Sequence, residues 1–308
     1  MATKSGARTT QEGRPEQGGA DFKTNVSGRH TLDRIFTVLV FTATMVGLVV
    51  LAVLLIDVAR DGIPRLSWDF LTSFSSVSPE NSGIYPALLG SLWLLAITTI
   101  VSVPLGIGAA VYLEEYAPDN WLTGLIEVNI SNLAGVPSII YGLLGLGIFV
   151  NLLGGITGGQ SLISGGLTLS LLILPVIIIA TREALRTIPG AVREGGYALG
   201  ATRWEVTKSH LLPMALPGAL TGTILALSRA IGETAPLIVV GAATFITFAP
   251  DSPLSGYSAL PIQIFYWVGQ PQPGFQAAAA AGIVVLMIVL LLTNSVAIWL
   301  RNKYQRRA

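Results

Sequence analysis

Two ionisable residues, Arg229 and Glu233, lie inside an apolar stretch, residues 214–241, that carries no other charge. An arginine placed mid-membrane costs from about 2.5 to more than 10 kcal/mol by different measures, so such residues usually face a cavity and mark a pathway. The i, i+4 spacing puts both side chains on one helix face, with the arginine first, the weaker of the two orders. Thirteen residues separate Leu216 from Arg229, which at 1.5 Å per residue is ~20 Å along a helix and past the midplane. Charge and spacing alone fit either a structural ion pair or a charge lining a path. Ser228 and Thr234 flank the pair, and each hydroxyl serves either a ligand or its own helix backbone. Other chemistry is missing from the chain. There is no cysteine, and His30 and His210 lack the helical pairing of a zinc site. No G-x-x-x-x-G-K-[ST] run is present, so ATP would have to be hydrolysed elsewhere. No catalytic residue, metal ligand or cofactor is assigned.

The elements that position these residues follow from composition. Only 11% of the 308 residues are charged, 52% are apolar and the mean hydropathy is +0.67. A soluble chain has roughly a quarter of its residues charged, so the solvent for most of this one is the lipid bilayer. The fold class is all-α, a polytopic membrane protein with about six spans, at residues 35–56, 85–113, 130–153, 161–181, 214–241 and 277–300. Residues 1–34 are polar and read as a disordered tail, leaving 35–308 as the transmembrane domain. Lysines and arginines cluster in the tail (six), in 182–213 (five) and in 301–308 (four). The positive-inside rule then places both termini in the cytoplasm. Loop 114–121 falls on the same side yet is acidic. Net charge is +1, and nothing in its distribution suggests nucleic acid. Glu127, Asn129 and Asn132 either line the path or bridge helices, with bridging the favoured reading.

One cytoplasmic stretch, residues 187–213, has a pattern of its own. Pro189 suits the first turn of a helix and Gly200 its left-handed stop. Thr202 and Glu205 form a capping-box pattern that starts a second helix, and Pro213 marks a bend into the fifth span. Gly195 and Gly196 fall inside the first helix, where each costs ~1 kcal/mol relative to alanine, so tight packing on that face is expected. The pattern by itself also fits an ordinary interfacial loop.

At these residues the chain resembles the permeases of binding-protein-dependent ABC importers, whose cytoplasmic loop carries Glu-Ala-Ala, Gly and Ile-x-Leu-Pro at fixed spacing. Here the positions are Glu194-Gly195-Gly196, Gly200 and His210-Leu211-Leu212-Pro213. Glycines replace the two alanines and His210 replaces isoleucine. The string from Ser228 to Leu237, with Gly135–Gly142, Val103–Gly108, Tyr112–Tyr116 and Leu260–Ile264, narrows the resemblance to phosphate permeases of the PstA type. The resemblance implies a MetI-like type I permease fold and translocation of inorganic phosphate across the cytoplasmic membrane, with no enzymatic activity in this chain. It implies a PstC-like permease partner, a PstB-like ATPase dimer and a PstS-like external phosphate-binding protein. Glu194, Gly195, Gly196, Gly200, Leu212 and Pro213 would dock the ATPase. Arg229, Glu233, Ser228 and Thr234 would meet the anion, for which a guanidinium is a planar, bidentate, permanently charged partner. The rivals are a permease for sulfate or molybdate, a stand-alone channel or secondary transporter, and a membrane enzyme. No clear internal repeat supports the channel or secondary transporter.

Overall fold

A computed structural model describes residues 26–305. Its helices are α1 Val26–Gly62, α2 Trp68–Thr72, α3 Tyr85–Val111, α4 Trp121–Ala134, α5 Ser138–Gly145, α6 Gly154–Thr157, α7 Leu162–Arg186, α8 Gly190–Ala198, α9 Arg203–Val206, α10 Leu212–Gly232, α11 Ala235–Val240, α12 Leu260–Val268 and α13 Pro273–Gln305. The π-helical stretches Tyr112–Tyr116, Leu146–Leu152 and Thr207–Leu211 extend α3, extend α5 and join α9 to α10.

Residues 1–25 of the expected disordered tail lie outside the described residues. Residues 26–34 are helical, so the first helix begins before the expected residue 35. Extending a formed helix avoids a second nucleation step, which lets polar turns join the apolar run. The chain divides into residues 1–54 and 55–308. Within α1 the run 35–56 is apolar on every side, the pattern of a span rather than of an amphipathic surface helix.

Among the described residues five helices are long and apolar enough to cross a membrane, or six if one bent pair counts as a span. That pair corrects the third span. Instead of one helix over 130–153, α4 and the α5 segment meet at 105°. Pro137 has no N–H for the carbonyl of Leu133, and its ring would clash with that carbonyl in a continuing helix. The Leu133 oxygen accepts from Val136 N at 3.1 Å in a tightened last turn, and the Tyr141 hydroxyl donates to it as well at 2.8 Å, so it keeps partners within the membrane. The expected fifth span is likewise broken, into α10 and α11. Pro213 does not interrupt the helix: the π-turn Thr207–Leu211 runs directly into α10, and Arg203–Gly232 is one candidate span.

In the second unit α7 is the axis, with most of its residues buried. Close approach to α10 rests on small residues. A Cβ on Gly218 would lie 2.7 Å from Ala184 Cβ, and one on Gly222 would collide with Ala180 Cβ. Two small residues one turn apart on each helix let the backbones touch, as membrane bundles without a hydrophobic driving force require. On the α3 side, Thr98 Oγ1 donates to the Gly166 carbonyl at 3.2 Å, and Ser170 Oγ, which bonds the Gly166 carbonyl of its own helix at 2.7 Å, also approaches the Thr98 carbonyl at 3.4 Å. These bonds are buried, so they fix register as well as contact.

Candidate translocation pair and docking loop

Arg229 stands in the last turn of α10, and Arg229 Nε donates to Glu233 Oε1 at 3.0 Å. The two are not on one continuous helix as the spacing predicts. α10 stops at Gly232, and Glu233 is its extended cap residue (φ −73°, ψ 125°). Pro236 lacks the N–H that would bond the Gly232 carbonyl and its ring would clash there, which forces the interruption. The break leaves the Arg229 side chain 46% exposed and Glu233 15% exposed. Among the described residues the terminal nitrogens of Arg229 make no hydrogen bond. A guanidinium with one nitrogen anchored and an open fork can hold an oxyanion and let it go.

The wall behind the pair is tightly fitted. Tyr141 of α5, Leu172, Ile173 and Ile177 of α7, and Ala226, Leu227 and Ala230 of α10 form one buried cluster. A Cβ on Gly142 would lie 2.7 Å from Pro236 Cα, so α5 and α11 touch backbone to backbone beside the break. Ser228 does not join the pair. Its hydroxyl bonds the Ile224 carbonyl and Asn294 Oδ1 of α13, each at 2.7 Å. Thr234 is the N-cap residue of α11, without a side-chain cap bond.

At the other end of α10, the stretch 187–213 has the two expected helices, α8 and α9. Gly200 adopts φ +85°. The Thr202 hydroxyl accepts from Glu205 N at 3.3 Å while Glu205 Oε2 accepts from Thr202 N at 2.8 Å, the full capping box. The two glycines separate in role. A Cβ on Gly196 would sit 2.7 Å from Val206 Cγ2, so this residue admits α9, whereas Gly195 meets nothing within 4 Å. Glu194 is exposed. Leu211 is buried with Leu185, Ile188, Val206 and Ala215, and Val111, Val192 and Ala201 pack on this cluster. Leu212 and Pro213 open α10. Outside, Leu199, Trp204 and Tyr197 are 91%, 59% and 41% exposed.

Sequence reasoning missed a charge network beside this loop. Arg182, whose side chain is 9% exposed, contacts Glu114 at 3.3 Å and Glu127 at 2.5 Å. Arg186 reaches Glu114 at 3.0 Å and Glu127 at 4.0 Å. Arg193 bonds Glu115 at 2.6 Å and adds the Leu185 and Ile188 carbonyls. The Glu115 hydrogen bonds push the Arg193 guanidinium above its ordinary value, against the partial burial that lowers it. The acidic loop is thus neutralised by three arginines. Glu127 bridges α4 to α7 as expected, whereas Asn129 bonds the Leu125 carbonyl of its own helix. The available signal was Arg182 and Arg186 one turn apart, with two adjacent glutamates on the same predicted side.

The family model described as binding-protein-dependent transport system inner membrane component matches residues 102–307. The probable ABC transporter permease protein YqgI of Bacillus subtilis is 39% identical over 207 residues, 67% of this chain and 69% of that protein. The phosphate transport system permease protein PstA of Mycobacterium leprae is 36% identical over 253 residues, 79% of this chain and 80% of its own. A solved bacterial alginate ABC transporter, in complex with its alginate pentasaccharide-bound periplasmic protein, aligns at TM-score 0.61 and 17% identity over 85% of this chain and 93% of that one. The MetNI methionine ABC transporter in inward-facing form aligns at TM-score 0.53 and 21% identity, over 72% and 97%. These two structures bear on the fold alone, and the fold is the MetI-like one of ABC importer permeases. The chain therefore belongs to the inner membrane components of binding-protein-dependent transport systems, as a transport subunit rather than an enzyme, with PstA phosphate permeases among its homologues.

Proposed function

We propose that this chain is the permease subunit of an ATP-driven importer that moves inorganic phosphate across the cytoplasmic membrane. The observation that carries the reading is the half-exposed Arg229, anchored through Nε to Glu233 at a helix break with the rest of its fork open. Phosphate entering from outside replaces Glu233 as partner of Arg229, and Glu233 then accepts from a protonated phosphate oxygen or repels the ion onward. A single arginine suits transit, because a cluster of cations would hold phosphate too tightly. The 36% identity to PstA of Mycobacterium leprae supports phosphate as the substrate.

In this reading both termini and α8–α9 are cytoplasmic. The exposed rim Tyr197, Leu199 and Trp204, with Glu194 and the open Gly195, docks an ATPase of the PstB type. A PstC-like permease completes the pore and a PstS-like protein delivers phosphate. The acidic loop 114–121 fits this orientation, since Arg182, Arg186 and Arg193 offset its glutamates.

The test is radiolabelled phosphate uptake with the complete system. Arg229→Gln is expected to abolish uptake while the complex still assembles. Full uptake by that variant would remove the translocation role of Arg229, and no uptake by the intact system would remove phosphate as substrate.

A further inference from the structure

We propose that the adjacent Glu114 and Glu115 form a rigid joint that makes α8 move as one body with the ends of α3, α4 and α7, with Glu115–Arg193 as its working link. This rests on the reading of α8–α9 as the ATPase-docking loop. The two glutamates lie in the π-turn Tyr112–Tyr116 that ends α3. They face different partners. Glu115 holds Arg193 of α8, while Glu114 holds Arg182 and Arg186 of α7. Arg182 passes the connection to Glu127 on α4, the helix that leads to the 105° elbow before α5. From there Gly142 touches Pro236, next to the break that holds Glu233.

Burial and geometry single out the Arg193 link. The Glu115 side chain is 5% exposed. Both its oxygens lie 3.2 Å from Arg193 Nε, and Oε1 is 2.6 Å from the terminal nitrogen Nη2. The same guanidinium caps the Leu185 and Ile188 carbonyls at 3.2 and 3.1 Å, so one side chain ties the π-turn, the end of α7 and the start of α8. α8 and α9 also pack through the aliphatic cluster around Val206 and Leu211. Aliphatic surfaces resist separation but slide, as packed helices do in shear motions. A buried fork-on-carboxylate contact has a fixed geometry and resists both sliding and rotation. A push delivered to the exposed face of α8 therefore reaches the membrane helices undiminished only while the fork is closed.

The test compares the intact complex with Glu115→Arg, Arg193→Glu and the double exchange, reconstituted in proteoliposomes. Each single change is expected to leave the ATPase bound and hydrolysing within about twofold of the intact complex, while phosphate uptake falls at least tenfold. The double exchange is expected to restore uptake to within about threefold. Normal uptake by both single variants, or a double variant as poor as the worse single one, would overturn the joint. Because the chain has no cysteine, Glu115→Cys with Arg193→Cys gives a second route that does not depend on charge reversal folding well. Uptake should be low in that pair and recover when a short bis-thiol reagent links the two positions; linked chains that stay inactive would show that the joint must open. In every arm the intact complex is the reference. Its failure to take up phosphate would count against the proposed function, whereas its success beside unaffected variants would count against the joint alone.

Discussion

Replacing Arg182 with methionine removes the centre of the network while keeping a similar apolar stem. Truncating one partner of a buried ion pair usually costs about 3–5 kcal/mol, mostly because the other charge stays buried and unpaired. Two features lower that figure here. Glu114 keeps Arg186 at 3.0 Å, and the Glu127 side chain is 34% exposed and partly hydrated. The expected loss is therefore about 2–3 kcal/mol, below the fully buried range. Unfolding in mixed detergent–SDS micelles, followed by tryptophan fluorescence, measures it. If unpaired charge is the cause, adding Glu114→Gln and Glu127→Gln to Arg182→Met should recover at least half of the loss. Arg186, half-exposed, then loses Glu114 and the more distant Glu127 at little cost and keeps Glu183 at 3.7 Å. A loss below about 0.5 kcal/mol for the single variant, the level of an exposed pair, would refute the reasoning. So would a triple variant no more stable than the single one.

Gly222→Val should prevent accumulation of folded chain, since its side chain collides with Ala180 on the axial helix, and Ala180→Gly should rescue it in part; yield of monodisperse protein in detergent reads both. Gly195→Ala, with open space around it, should stabilise α8 by up to about 1 kcal/mol through helix propensity. Gly196→Ala should instead destabilise the chain because of Val206 Cγ2 at 2.7 Å, so thermal unfolding of the two variants should move in opposite directions. Ser228→Ala and Asn294→Ala should each cost about 1 kcal/mol and couple in a double-mutant cycle. Both should transport phosphate, because their mutual bond faces α13 rather than Arg229; loss of uptake with unchanged stability would return Ser228 to the path.

What the sequence determined by itself is what depends on neighbours along the chain. Hydropathy set the solvent and most of the spans, because about twenty consecutive apolar residues suffice to cross a bilayer as a helix. Gly200 and the Thr202–Glu205 box were legible for the same reason: a left-handed stop and a cap are closed within three or four residues. The Arg229–Glu233 pairing was also readable from spacing, although the structure makes it across a helix end. Tertiary structure decided the rest. Pro137 and Pro236 break helices while Pro104, Pro175 and Pro217 stay inside continuous ones. No local signal separates the two groups, because the outcome rests on what neighbouring helices do with the freed carbonyls. The split between Gly195 and Gly196 depends on α9 lying against one of them. Arg182 meets Glu114 across 68 residues of sequence and Arg193 meets Glu115 across 78. Such pairs are invisible to periodicity, since burial brings them together and burial belongs to the packed bundle rather than to any segment of it.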